Sequence, residues 1–210
     1  PNPSAGENGQ GVYTVVSHHD VDIILTDGRW WRSEDRERDS VNGQPNPNKR
    51  MLGAQQMEWL KNSLLFSSAP FKIIAMGSQV LNDVSPYDKW TDFPAERQEL
   101  LDFIRSYKIN GVLFLTGDRH HSEIIKMERP GTYTLYDITA SPLTSGTHKF
   151  DGPEAKNPLR VYGLDQKNNY SRISVSGPRG ARKLTVDFLG VKGESLGTWQ
   201  IGEGDLKTPR

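Results

Sequence analysis

The sequence contains no cysteine, and its charges cancel, since 26 Lys and Arg residues balance 26 Asp and Glu residues. The lack of cysteine excludes disulfide frameworks, thiolate zinc sites and cysteine nucleophiles. The balanced charge provides no overall field that would attract nucleic acid or an acidic surface. We therefore expect no nucleic-acid partner, and any recognition of phosphate has to depend on a local group of side chains.

Long apolar runs and several common catalytic motifs are also absent. No apolar run approaches the roughly 20 residues that a transmembrane helix requires, so the sequence predicts no membrane span. The phosphate-binding loop GxxxxGK(S/T), the nucleophile elbow GxSxG and the zinc motif HExxH do not occur. These absences leave metal-assisted chemistry as the main enzymatic option.

Short apolar segments and amphipathic segments alternate in the first half of the chain. The apolar segments 22–26, 71–76 and 111–116 predict buried strands, and the amphipathic segments 52–64 and 92–107 predict helices. The order strand, helix, strand, helix, strand predicts an α/β fold whose sheet is covered on both faces. The second half has short alternating segments separated by Gly, Pro and Asn, which predict an antiparallel, β-rich C-terminal part.

Both ends of the chain have the composition of connecting segments. Pro, Gly and Asn dominate residues 1–11, which we predict to be a linker or loop. The predicted domain comprises residues 12–203, and residues 204–210 form a predicted tail. The sequence begins without an initiator methionine or a signal peptide, so we expect that it was cut or processed from a longer parent protein.

Charged side chains follow the predicted strand 111–116 directly, in the order Asp118, Arg119, His120 and His121. In α/β folds, ligands bind at the carboxyl ends of the strands, so this position predicts a functional site. Asp118 and His120 can both turn toward one metal ion if Gly117 lets the backbone bend sharply. The alternative interpretation is a polar strand end with an exposed histidine pair.

A second polar group follows the predicted strand 22–26. Asp27 stands at the end of this strand. Arg29 and Arg32 follow it, and each guanidinium group can donate two parallel hydrogen bonds to two oxygens of one phosphate. Asp27 and Arg29 are therefore candidate substrate-binding residues. For Arg32 we favour the alternative, which is an ion pair with Glu34, Asp35 or Glu37 in the same exposed loop.

The chain resembles the PhoD-like phosphatases, because five short motifs occur in it in the same order as in that family. They are D-x-R-x-x-R at 27–32, L-G-x-x-Q-x-x-W-L at 52–60, W-x-x-(Y/F)-x-x-E-R at 90–97, L-T-G-D-x-H at 115–120 and S-P-L at 141–143. The resemblance extends over about residues 12–146. The occurrence of all five in one order is more specific than any single motif.

The resemblance implies a fold and an activity. PhoD-like phosphatases are calcineurin-like metallophosphoesterases, which implies that the chain is the C-terminal half of an α/β/β/α sandwich. It implies metal-dependent hydrolysis of phosphomonoesters or phosphodiesters, usually at two metal ions, which can be iron, calcium, zinc or manganese. Members of the family are commonly exported, which implies bacterial origin and an extracytoplasmic location, either periplasmic or secreted.

The resemblance also implies roles for three residues. His120 matches a metal ligand of the family motif. Asp118 stands where a histidine is more usual, so it is either a metal ligand or a residue that orients one. Arg29 is implied as a contact with the substrate phosphate, and Arg29, Asp118 and His120 together form the expected catalytic group.

The family motifs that supply most metal ligands precede the matched region, and nothing in residues 1–20 resembles them. The resemblance therefore implies that this chain carries only part of the active site and is inactive alone. Its expected partners are a phosphate-ester substrate and the N-terminal half of the same protein. The alternative function is a non-catalytic, β-rich domain that binds a ligand or a partner.

Overall fold

The computed structural model describes Gly6 and residues 9–209, so most of the predicted linker at 1–11 lies outside the described residues. The strands are β1 Thr14–His18, β2 Val21–Leu25, β3 Ser40–Val41, β4 Gln44–Pro45, β5 Phe71–Ala75, β6 Val112–Thr116, β7 Ser122–Met127, β8 Leu135–Thr139, β9 Arg160–Leu164, β10 Asn169–Ser176, β11 Lys183–Gly190 and β12 Ser195–Gly202. The helices are α1 Gly53–Phe66, α2 Pro94–Ser106 and α3 Gly152–Ala155, with 3-10 turns at Trp90–Asp92 and Glu203–Leu206. Within the described residues, no helix has both the length and the apolar character that crossing a bilayer requires.

The larger sheet has seven strands in the order β1-β2-β5-β6-β8-β7-β9. The neighbouring strands β2, β5, β6 and β8 are parallel, whereas β1 and β7 run antiparallel to their neighbours. The strands β10, β11 and β12 form a second, antiparallel sheet. This mixed α/β architecture with antiparallel C-terminal strands confirms the predicted fold class.

The second sheet packs against one face of the first. Tyr162 of β9 stacks on Phe188 of β11 with ring centroids 4.3 Å apart, and Tyr136 of β8 lies 5.0 Å from Trp199 of β12. Buried side chains from both sheets and from α1 and α2 belong to one hydrophobic core. Full burial of each large apolar side chain stabilises the fold by about 1.5–3 kcal/mol, so this core holds the two sheets together.

The helices α1 and α2 are joined through Glu96, in the first turn of α2. Its buried carboxylate accepts hydrogen bonds from the backbone N–H groups of Met51, Leu52 and Gly53, at 2.7, 3.0 and 2.9 Å. The first turn of α1 contains no acidic residue, and the N–H groups at the start of a helix have no partners within it. Glu96 therefore caps α1 from another helix and fixes the position of α1 relative to α2.

The predicted tail at 204–210 begins inside the 3-10 turn Glu203–Leu206. Leu206 is fully buried, and its carbonyl oxygen accepts a hydrogen bond of 2.9 Å from the backbone N–H of Gly111. The first residues of this segment thus pack in the domain, next to the amino end of β6.

Gly111 precedes β6 at a point where no side chain fits. Its φ is +79°, and a Cβ atom there would lie 2.0 Å from the carbonyl oxygen of Pro70. We expect Gly111→Ala to lower the free energy of unfolding by about 3 kcal/mol, measured by urea denaturation, because it adds backbone strain to a clash. Gly146→Ala is the matched control, since a Cβ atom at Gly146 meets nothing within 4 Å. Equal losses in the two variants would contradict this account.

Candidate functional site

The carboxyl ends of β2, β5 and β6 bring the predicted polar segments to one edge of the larger sheet. Because these strands are parallel neighbours, β2 leads to Asp27, β5 to Ser78 and β6 to Asp118 at the same edge. Backbone hydrogen bonds continue the pairing beyond the strands, from Thr26 to Ala75 at 3.0 Å. The edge therefore collects side chains that are distant in the sequence.

The turn after β6 is strained at Asp118 and His120. Asp118 has a φ of +66° and His120 has a φ of +57°, both in the left-handed region that non-glycine residues rarely adopt. The backbone N–H of Arg119 donates to the carbonyl oxygen of Gly117 at 2.8 Å, which closes a three-residue turn around Asp118. Gly117 itself has no left-handed φ, so the bend expected at Gly117 lies instead at the two candidate ligands.

A cavity of about 460 Å³ lies at this turn, and Asp118 and His120 both line it. Both side chains are exposed. In the part of the chain that the structure describes, neither the Asp118 carboxylate nor the His120 imidazole makes a hydrogen bond or an ion pair. A carboxylate and an imidazole that remain without protein partners are available as metal ligands.

Arg29 lies at the same rim as this cavity. Its side chain is 69% exposed, and its Nη2 atom lies 3.1 Å from Oδ2 of Asp88. Asp88 also lines the cavity that contains Asp118 and His120. The structure thus places the candidate phosphate contact and the candidate metal ligands on the same side of the molecule, with Asp88 between them.

Backbone N–H groups hold the Asp27 carboxylate inside the protein. The carboxylate is buried and accepts hydrogen bonds from the backbone N–H groups of Val12, Arg29 and Trp30, at 3.0, 2.9 and 3.0 Å. Both carboxylate oxygens are therefore occupied within the protein. Asp27 holds the turn that carries Arg29, and a contact between Asp27 and the substrate stays a prediction.

Arg32 forms ion pairs, as favoured from the sequence. Its Nη2 atom lies 2.7 Å from Oδ1 of Asp35, and it also pairs with Asp88. The guanidinium carbon lies 4.7 Å from the ring centroid of Phe93, so the side chain is only 10% exposed. These contacts anchor the loop that follows β2, and they keep Arg32 away from the cavity of Asp118 and His120.

Glu123 is a buried carboxylate beneath the rim that the sequence did not indicate. It accepts hydrogen bonds from Gln79 Nε2 at 2.7 Å, from Asn82 Nδ2 at 3.0 Å and from Arg160 Nε at 2.7 Å, and it lies 3.2 Å from His121 Nε2. Burial raises the pKa of the Glu123 carboxyl, but hydrogen bonds from His121, Gln79 and Arg160 outweigh it and lower the pKa to about 2. Glu123 therefore ties β7 to the segment after β5 and to β9.

The loop between β8 and β9 adds two further residues that sequence reasoning missed. The backbone N–H of His148 donates to the carbonyl oxygen of His120 at 2.8 Å, and the His148 ring lines the same cavity. Its Nε2 atom lies 2.9 Å from Oε2 of Glu154, whose carboxylate is buried and also pairs with Arg119. No periodic pattern marks this loop, so only the folded chain shows that Glu154 orients both Arg119 and His148.

His148, Asp151 and Glu154 also form a group whose potential ligand atoms all lie within 4.8 Å of one another. Such a group could hold a metal ion, because it combines one imidazole with two carboxylates. In this structure, however, Glu154 is already paired with the Arg119 guanidinium, whose positive charge opposes a second cation. Among the residues that the structure describes, no cationic side chain pairs with Asp118 or His120.

A larger cavity, of about 890 Å³, lies at the opposite edge of the sheet. Several of its charged groups already have partners, since Arg182 lies 3.0 Å from Asp20 and Lys207 lies 2.9 Å from Glu203. Buried Lys72 donates to the carbonyl oxygen of Ala69 at 2.6 Å. Size alone therefore does not make this cavity the functional site.

Comparisons with known proteins bear on the family and the fold of the chain. The profile of the PhoD-like phosphatase family matches residues 2–186. Alkaline phosphatase D of Bacillus subtilis (strain 168) is 35% identical to the chain over an alignment of 86 residues, which covers 37% of this chain and 15% of that protein. A solved structure of PhoD matches with a TM-score of 0.69 and 20% identity, over 94% of this chain and 43% of that structure.

These matches differ in what they show. At 20% identity, the solved structure is evidence for the fold alone. This chain spans less than half the length of either relative. The family profile covers most of the chain, and it confirms the resemblance that the five sequence motifs indicate. The chain belongs to the PhoD-like phosphatase family.

Proposed function

We propose that the protein containing this chain hydrolyses phosphate esters in a metal-dependent reaction. The observation that carries the proposal is the cavity lined by Asp118 and His120, whose side chains have no partner among residues 9–209, with Arg29 linked to the same rim through Asp88. Family membership supports phosphatase activity in general. The geometry supports a particular division of roles among these three residues.

Asp118 and His120 fit a metal centre by the chemistry of their donor atoms. Carboxylate oxygen and imidazole nitrogen together suit iron, zinc and manganese, and the carboxylate also suits calcium. When bound, metal ions at such a site lower the pKa of a coordinated water and neutralise charge on the phosphate. Two residues supply too few ligands for a complete centre of two ions, so other segments have to contribute the rest.

Arg29 is the proposed contact with the substrate phosphate. Its guanidinium can donate two parallel hydrogen bonds to phosphate oxygens, and its 69% exposed side chain is free to approach a ligand. Asp88 positions Arg29 in the absence of substrate, and Asp27 holds the backbone of the same turn. Donors fixed in advance in this way stabilise the charge that develops on the transferring phosphoryl group.

The remaining ligands are proposed to come from the N-terminal half of the same protein. The relatives are more than twice the length of the region that this chain matches. In this proposal the chain alone holds a partial site and is inactive. The alternative, a non-catalytic binding domain, predicts neither metal nor turnover for the longer protein.

Metal analysis and two assays test the proposal on the full-length protein and on this chain in parallel. We expect bound metal and hydrolysis of an aryl phosphate or an aryl phosphodiester in the full-length protein only. The ratio of the two activities would establish the preference for monoesters or diesters. A full-length protein without metal and without either activity would overturn the proposal in favour of the binding domain.

The role of Arg29 makes a separate prediction. Arg29→Ala in the full-length protein should lower kcat/KM for an aryl phosphate roughly tenfold or more, because a charge-assisted hydrogen bond is worth about 1.5–3 kcal/mol. Arg36→Ala is the matched control, since Arg36 is an exposed arginine further along the same connection between β2 and β3. Steady-state kinetics of the two variants would disprove the role of Arg29 if they gave the same kcat/KM.

A further inference from the structure

Tyr87 forms a wall of the cavity that contains Asp118 and His120, yet 55% of the residue is exposed. Its hydroxyl group makes no hydrogen bond within the described residues. An exposed aromatic side chain without a hydrogen-bond partner at a cavity wall offers a planar apolar surface to whatever enters the cavity.

Contacts on two sides hold the Tyr87 ring in place. The guanidinium carbon of Arg119 lies 4.6 Å from the ring centroid, and this guanidinium is itself fixed by an ion pair with buried Glu154. The ring of His148 meets Tyr87 edge-on, with centroids 5.7 Å apart. The backbone N–H of Tyr87 donates to Ser85 Oγ at 3.2 Å. A ring held in this way loses little conformational entropy when it contacts a ligand.

The Tyr87 ring shares its cavity with groups assigned to the phosphate. Asp88, the next residue, pairs with Arg29, and Asp118 and His120 line the same cavity as Tyr87. A phosphoryl group held between Arg29 and the metal ligands would have its ester substituent beside Tyr87. The volume of about 460 Å³ lies within the range of small-molecule sites, so it can accept such a substituent.

We infer that Tyr87 is a specificity-determining residue whose ring contacts a planar aromatic substituent of the phosphate ester and favours aromatic over alkyl esters. This inference rests on the proposed function, since it concerns the substrate of the same site. The contact is apolar, and it requires the ring but not the hydroxyl group. Tyr87→Phe should therefore keep the preference that Tyr87→Leu loses.

The test compares phenyl phosphate with an alkyl phosphate on the full-length protein with its metal bound. For Tyr87→Leu we expect the kcat/KM for phenyl phosphate, divided by that for the alkyl phosphate, to fall roughly three- to tenfold. This fall corresponds to the free energy of one aromatic contact. Tyr87→Phe should keep the ratio of the unaltered protein. Tyr107→Leu is the matched control, because Tyr107 is 60% exposed and lies at the carboxyl end of α2, beyond the opposite edge of the sheet.

Several outcomes would overturn the inference. An unchanged ratio in Tyr87→Leu would remove Tyr87 from substrate recognition, and an equal fall in Tyr87→Phe would assign the effect to the hydroxyl group. Hydrolysis of neither ester by the unaltered protein would overturn the proposed function, and the inference with it. Hydrolysis of both esters with equal kcat/KM would overturn the inference alone.

Inhibition of the unaltered protein provides a measurement that does not depend on the folding of any variant. Phenylphosphonate and methylphosphonate carry the same anionic group. The first has a phenyl ring on phosphorus where the second has a methyl group. We expect the inhibition constant of phenylphosphonate to be at least about threefold lower, since only this inhibitor reaches the Tyr87 ring. Equal inhibition constants would contradict a contact between the cavity wall and an aromatic substituent.

Discussion

His120→Ala is expected to reduce kcat/KM of the full-length protein for an aryl phosphate by at least about a hundredfold. The loss of a residue that merely orients a metal ligand typically costs 10- to 100-fold, so the loss of a ligand should cost more. Stability should change little, because the His120 ring is exposed and makes no hydrogen bond among the described residues. Kinetics, metal content and the melting temperature of the same preparation measure all three effects.

His18→Ala is the matched control for this substitution. His18 is an exposed histidine on β1, opposite Val21 at the amino end of β2, and therefore at the other edge of the sheet. Its replacement should change neither metal content nor kcat/KM. Near-normal turnover in His120→Ala would exclude His120 from the site, and equal metal content in both variants would exclude it as a ligand.

Glu123→Gln is expected to lower the free energy of unfolding by about 3 kcal/mol, which corresponds to a fall of roughly 10 °C in melting temperature. The substitution keeps the shape of the side chain but removes its negative charge. In the unaltered protein, the Glu123 carboxylate forms an ion pair with Arg160 and accepts a hydrogen bond from His121. Removal of one partner of a buried ion pair leaves the other charge without compensation. Glu128→Gln is the matched control on the exposed continuation of β7, where the ion pair with Lys126 is accessible to solvent and no change is expected.

The same residue predicts a pH dependence of stability. The pKa of Glu123 in the folded protein is about 2, below the ordinary value of 4.5, so the unfolded chain binds more protons between these two values. Stability therefore rises with pH in this window, and the contribution of about 3 kcal/mol is lost as pH falls from about 4.5 to about 2. Urea denaturation of Glu123→Gln between pH 2 and 6 should show a correspondingly weaker dependence. Parallel pH profiles for the two proteins would contradict the assigned ion pair.

The strands at the centre of the sheet were predictable, and those at its edges were not. β5 and β6 are buried on both faces and β2 is at least half-buried along its length, so each is a short apolar run that local sequence reveals. β1 has one half-buried and four exposed side chains, and β9 alternates only between half-buried and exposed ones. Without a buried face, an edge strand leaves no clear periodic signal.

For the candidate site, the residues adjacent in sequence were predictable, and those brought together from distant segments were not. Asp118 and His120 follow a buried strand directly, so their position at the rim could be inferred. Asp88 and Glu154 come from distant segments, and no spacing relates either of them to His120. Glu123 is only three residues from His120, but its partners Gln79, Asn82 and Arg160 come from distant segments. Their hydrogen bonds depend on the order of strands in the sheet and on the path of the loop between β8 and β9.

The sequence by itself determined the family, the α/β class and the edge of the sheet where polar side chains meet, because buried strands and local motifs are properties of neighbouring residues. Only the tertiary structure decided which of those side chains remain available to bind a ligand in the cavity. Asp27 and Asp118 both follow parallel strands, yet backbone N–H groups occupy the Asp27 carboxylate while that of Asp118 stays open to the cavity. A buried carboxylate has to find hydrogen-bond donors, and the folded path of distant segments determines which carboxylates find them.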